Sequence, residues 1–184
     1  MTTTTTKAAA MVDLTADEDA PLTMCQVTIP GKPQAMPRPF QWKGVCINPK
    51  AKEAKTLGQK IKEQLGSSGL ELPFPKGKPV SASIWFMMPR PIKDFVGRKA
   101  IAGRLKDAIN GLIHPHTSAP DIDNLCKFVL DALNGIAHHD DRQVVQLKSL
   151  KLVDSFGACR GQTVIQFHAF DASIHGEPLP MENM

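Results

Sequence analysis

Apolar positions along this chain recur with two periods, and the changes between them mark its elements. Thr23 to Gly31 (TMCQVTIPG) alternates as a strand and is closed by Pro30–Gly31. KPQAMPRPFQWKGVCINPK follows, with three prolines between Pro33 and Pro39; it reads as a loop or irregular hairpin around Lys43–Gly44. From Ala51 to Gly66 the period becomes helical, with Ala54, Leu57, Ile61 and Leu65 on one face. Lys78 to Pro91 returns to strand alternation, stopped by Pro89 and Pro91. Between Ile92 and Ala119 the pattern is weaker and predicts a short helix around Arg98 to Ile109, then a loop.

The second helix is the most strongly patterned element. Leu125, Val129, Ala132, Leu133 and Ile136 form an apolar stripe; Asn124, Lys127, Asp131 and Asn134 form a polar one beside it. Asp123 or Asn124 is the expected N-cap, and Gly135 the terminator. Before the helix, Pro120 favours an extended approach, in which Asp121 and Asp123 share a face and Ile122 points away. Gln143 to Ser155 and Gly161 to Phe170 read as two further strands joined by a turn around Gly157. Strands and helices do not alternate cleanly. The expected fold is therefore α+β, a small single domain with a mixed β-sheet of about four strands and two main helices.

Composition narrows the function classes. The chain has 184 residues, 42% of them apolar, enough for one ordinary core, and no apolar run nears the ~20 residues that span a bilayer. Residues 1–20 are Thr/Ala-rich and then acidic, and read as a disordered tail; 21–175 form the domain and 176–184 a frayed end. The tail lacks the apolar core of a secretion signal, which points to a soluble intracellular protein of the cytoplasm or nucleoid, or of the nucleus in a eukaryote. Within it, VDLTADED (12–19) has the form of a segment that adds to a sheet edge on a SUMO-like modifier. Four scattered cysteines make neither a zinc motif nor a disulfide framework. The overall charge of +4 hides an asymmetry. The tail holds one lysine against four acids, so the remaining 164 residues carry 21 basic against 14 acidic side chains. A basic body suggests a polyanionic partner, nucleic acid first.

The chemistry concentrates in PDIDNLCKFVLDALNGIAHHDD (120–141), with five aspartates. Asp121 and Asp123 enter the helix; Asp140 and Asp141 follow it. If they meet, three carboxylates make a hard oxygen site suited to Mg²⁺ or Mn²⁺, which can orient phosphate and lower the pKa of a bound water. Lys127, one turn in, could contact the scissile phosphate. Each residue also has a plain reading: DxDN as a capping device, Lys127–Asp131 as an i,i+4 pair, Asp140–Asp141 as a turn. The histidines His114, His116, His138 and His139 do not have the spacing of a common zinc motif.

Pro120 to Val144 resembles the signature of RusA-type Holliday junction resolvases: a DxDN-x-x-K run opening a helix that reads D-A-L, then D-D-x-Q-V. The similarity extends to MPRP (88–91) and, more loosely, over residues 23 to 170. It implies a homodimeric, Mg²⁺-dependent endodeoxyribonuclease that nicks four-way junction DNA symmetrically in recombination and repair, with Mn²⁺ as a possible substitute. By position it implies catalytic roles for Asp121, Asp123, Asp141 and Lys127, and metal ligation by Asp121, Asp123 and Asp141 or the adjacent Asp140. Arg38, Lys43, Arg90 and Lys127 are the expected DNA contacts. A flap- or nick-directed nuclease, and a non-cleaving junction-binding protein, are the alternatives; a sugar-nucleotide transferase using the same DxD fits a basic chain of this size poorly.

Overall fold

Strand alternation and helix stripes resolve into one sheet with both helices on one of its faces. The computed structural model of the chain describes residues 24–38, 40–47, 49–66, 73–98, 105–106, 114–155 and 160–170. In chain order the elements are β1 (Met24–Pro30), β2 (Phe40–Trp42), β3 (Val45–Ile47), α1 (Ala51–Leu65), β4 (Val80–Met88), α2 (Ile122–Leu133), β5 (Val144–Val153) and β6 (Gln162–Ala169). Four strands form a mixed sheet in the order β1-β6-β4-β5, and β2 and β3 pair as a separate hairpin. The α+β expectation holds.

The last two strands take different neighbours in the sheet. They do not pair with each other: β6 inserts antiparallel between β1 and β4, while β5 lies parallel to β4 on the other side. The β4-to-β5 connection carries α2, the kind of long crossover that parallel pairing requires.

Alternation then decides the core. Val80, Ala82, Ile84, Phe86 and Met88 of β4 are buried, joined by Cys25 and Val27 of β1 and Ile165 and Phe167 of β6. Ile61 and Leu65 of α1, and Leu125, Val129 and Leu133 of α2, close over them in the same cluster. The buried stripe expected of α2 is the one observed, with Ile136 packed against it just beyond the helix. Gly135 (φ 75°) provides the left-handed turn that ends it, a conformation cheap only for glycine.

Two packings fix how the helices lie. Ala54 sits with Phe128 and Ala132, and Gly58, one turn on, faces Ala132 and Ile136, so α1 and α2 run in the same direction. A Cβ on Gly58 would lie 2.5 Å from the carbonyl oxygen of Ala132, so only glycine allows this approach. On the sheet side, Ser149 hydrogen-bonds Cys126, while Lys151 reaches back to Pro120. Helix α2 therefore runs antiparallel to β5.

The helix expected at 98–109 falls partly outside the described residues. Of its described positions, Arg98 ends a single 3-10 turn and Leu105 forms an antiparallel bridge with Phe95. The segment 12–19, residues 1–20 and 176–184, and the turn at Gly157 lie outside the described residues. Among those described, no helix is long and apolar enough to cross a membrane.

Candidate active site

The start of α2 lies two to three residues earlier than the pattern predicts. Asp121 is the N-cap, extended at φ −70° and ψ 148°, and the helix begins at Ile122. Asp123 is thus helical, and the shared extended face expected for Asp121 and Asp123 is replaced by a cap and first-turn arrangement. The Asp121 side chain accepts no capping hydrogen bond, and both carboxylates are exposed. Negative charge is favoured here by the amide groups and dipole of a helix N-terminus.

The approach to Asp121 is held from the sheet. The Ala119–Pro120 peptide is cis. Lys151 Nζ donates to the carbonyls of Ser118 and Pro120, each at 2.7 Å. His116 N donates to the Lys151 carbonyl at 3.0 Å, and Val153 N to that of His114 at 2.8 Å. Pattern reading missed Lys151, which occupies a helix-facing position of β5, paired with buried Phe86. Burial, then the Lys151 charge, holds the His116 pKa below the usual imidazole value.

Basic groups line the loop bonded to this end, the hairpin and the neighbouring helix α1. Met36 N donates to the Asn124 carbonyl at 2.8 Å, tying the 31–38 loop to the first turn of α2, and the Met36 side chain is buried between the helices. Arg38 on this loop and Lys43 on the hairpin are exposed, as are Lys32, Lys52 and Lys55. Lys32, Lys52 and Lys60 rim a cavity of about 580 Å³ floored by Leu57 and Phe128. Lys127 is exposed one turn along α2 from Asp123.

Arg90 requires a correction. It was expected on DNA, but it is 5% exposed and its guanidinium is used internally. Nε donates to the Asp154 carbonyl at 2.9 Å, Nη1 to Asp94 at 3.4 Å, and Nη2 to Ser155 Oγ. Asp154 in turn accepts from Gly161 N at 2.8 Å. Arg90 therefore binds the ends of β4 and β5 to the start of β6 and has no face for phosphate.

Asp140 and Asp141 lie at the opposite end of α2. Strand β5 starts beside the helix C-terminus, and from Val144 to Lys151 it covers about 23 Å. Asp141 lies 3.8 Å (Oδ1) from Nδ1 of His138, which is 1% exposed with both ring nitrogens lacking a hydrogen bond. Burial holds the His138 pKa down, opposed by the Asp141 and Asp140 charges. Asp131 is pushed up by burial and then by the Asp141 charge, with Lys127 acting the other way. Asp140 is occupied otherwise. It accepts from Arg142 Nε (3.1 Å), Nη2 (2.9 Å) and N (2.9 Å), and these bonds hold its pKa down to about 2. Gln143 braces the turn, accepting from His139 N and donating to the carbonyls of Pro75 and Lys78.

The expected cluster of three carboxylates is therefore not formed within one chain. Among the described residues, no three His, Cys, Asp or Glu side chains converge enough to hold an ion. Asp121 and Asp123 still fit a divalent cation in donor chemistry, because Mg²⁺ commonly takes one or two carboxylates and completes its shell with water and substrate phosphate.

Residues 73 in number align at 40% identity with "Uncharacterized protein YqaN" of Bacillus subtilis (strain 168), covering 40% of this chain and 48% of that one. The chain thus spans about half the length of that relative. Residues 30–159, which contain both helices, the basic loop and every carboxylate discussed, match the family described as endodeoxyribonuclease RusA. The chain belongs to the RusA endodeoxyribonuclease family.

Proposed function

We propose that this protein is a Mg²⁺-dependent endodeoxyribonuclease that nicks four-way DNA junctions in recombination and repair, acting as a homodimer. The observation that carries the reading is the pair of exposed carboxylates, Asp121 and Asp123, with no capping bond from Asp121, at a helix entrance bonded to the loop that carries exposed Arg38. Asp121 and Asp123 hold the cation, and Mn²⁺ substitutes for it. Bound there, the cation supplies Lewis-acid charge and a water of lowered pKa for attack on phosphorus. Lys127 contacts the scissile phosphate, and Arg38 and Lys43 hold flanking phosphates. Such contacts position a duplex without reading its bases and weaken steeply with salt.

The distance between the two ends of α2 gives the homodimer a chemical role. Asp141 lies beyond the reach of an ion at Asp121 and Asp123 in its own chain, so as third carboxylate it comes from a second copy. Two copies about a two-fold axis then carry two sites, which paired nicking needs. Cleavage of an end-labelled four-way junction with Mg²⁺, beside a flap and a linear duplex at one salt concentration, tests the proposal. Symmetric nicks in the junction are expected. Preference for the flap would make the protein a flap nuclease, and tight binding without cuts under Mg²⁺ or Mn²⁺ would make it a binding protein.

A further inference from the structure

The β2–β3 hairpin presents an apolar face to solvent. Phe40 is 49% exposed, Trp42 61% and Val45 62%. Phe40 and Trp42 are two residues apart on one strand, and Val45 pairs directly across from Trp42. Two-residue periodicity and cross-strand pairing put all three side chains on one face. Lys43 (φ 49°) and Gly44 (φ 77°) form the tight turn at the tip, and the hairpin joins no strand of the main sheet. Packing of the fold does not call for a tryptophan and a phenylalanine here. Exposed aromatic area of this kind marks a binding surface.

Its surroundings select the partner. Exposed Arg38 precedes the hairpin, Lys43 sits on its tip, and exposed Lys52 and Lys55 follow on α1. An apolar partner protein gains nothing from such a cationic border, whereas a nucleic acid satisfies both parts: phosphates meet the cations and base faces meet the rings. Bases inside a continuous duplex are already stacked. A break in stacking, as at a branch point, offers a base face to Trp42 and Phe40 without the unstacking cost of insertion into a continuous duplex. The hairpin is also tethered to the candidate site. Met36, bonded to the first turn of α2, lies six residues before Trp42, which is at most about 20 Å of extended chain.

We infer that the β2–β3 hairpin is a branch-point probe, with Trp42 and Phe40 stacking on base pairs left open at a DNA junction. This rests on the nuclease reading above and adds the element that tells branched from linear DNA. Trp42 and Trp85 are the two tryptophans of the chain, so Trp85→Phe leaves Trp42 as sole reporter. In a protein carrying Trp85→Phe and Asp123→Asn, Trp42 emission is expected to fall by about half on a four-way junction and to change little on linear duplex. Trp42→Ala is expected to lose about tenfold in junction affinity, the order of one stacked base, with linear-duplex affinity unchanged. Trp42→Phe is expected to keep most of it.

Unchanged emission on a tightly bound junction would overturn the inference, as would equal losses on junction and duplex. A blue shift that grows with protein concentration in the absence of DNA would assign the face to a second copy instead. Wild-type protein run in parallel separates the two claims. If it cuts junctions and Trp42→Ala cuts them equally well, only the hairpin assignment fails; if it neither binds nor cuts them, the nuclease reading fails first.

Discussion

The two ends of α2 carry similar side chains and differ in what those side chains have to do locally. At the N-terminal end, Asp121 accepts no capping bond, Asp123 is exposed, and the backbone before them is gripped by Lys151. At the C-terminal end, Asp140 is spent on Arg142, Asp131 is shaped by burial, and Asp141 stands beside a buried His138. A count of carboxylates treats these ends alike. Their partners separate them, because a carboxylate already bonded to a guanidinium has less to offer a cation than one left to water.

The strongest way to break that comparison is at Asp123. Asp123→Asn is expected to lower junction cleavage about a thousandfold or more, since metal-assisted hydrolysis loses a ligand, while gel-shift affinity for the junction is kept. Near-normal cleavage would remove the N-terminal end from the chemistry. Mixing then sharpens the relation between the ends. Asp123→Asn and Asp141→Asn proteins, each inactive alone, are expected after co-refolding to regain about a quarter of wild-type sites. Half of the dimers are mixed, and each holds one intact composite site. The recovered products should be single nicks, and no recovery would place both carboxylates in the same chain's site.

Lys151 gives an intermediate effect. Lys151→Ala removes the donors to Ser118 and Pro120, and a shift of Asp121 is expected to lower kcat about ten- to a hundredfold with KM little changed. Lys151→Arg should restore part of it; a fall in melting temperature with kcat intact would make the lysine only structural. The smallest effect belongs to Arg142. Arg142→Ala is expected to leave cleavage within about twofold, because exposed ion pairs contribute little. The Asp140 carboxyl, freed from its guanidinium, should rise from about 2 toward the usual carboxylate value in an NMR titration. Below its ordinary pKa the charged form of Asp140 is then lost earlier than in the wild type.

Much of this layout was legible beforehand because it rests on local rules. Hydrophobic period located α1, α2 and the strands, and glycine chemistry located the end of α2 at Gly135. Non-local facts were not legible. Nothing in the residues between Gln143 and Phe170 indicates that β6 passes β5 to pair with β1 and β4, since alternation names faces and not neighbours. Arg90 looked like a phosphate contact because its partners, Asp154 and Ser155, are some 64 residues away. The separation of Asp121 from Asp141 follows from the direction of β5, a tertiary property.

Gly58 has a consequence beyond packing. The lysines at the start of α1 and the acids at the start of α2 sit on two rods that touch where a methyl group is missing. On the proposed function, the gap between those rods would act as a ruler for the phosphate backbone, setting how far a phosphate held by the α1 lysines lies from the one to be cut. Gly58→Ala would lengthen that ruler by wedging the rods apart, so its signature in an active protein would be displaced cut positions on the DNA as well as a lower melting temperature.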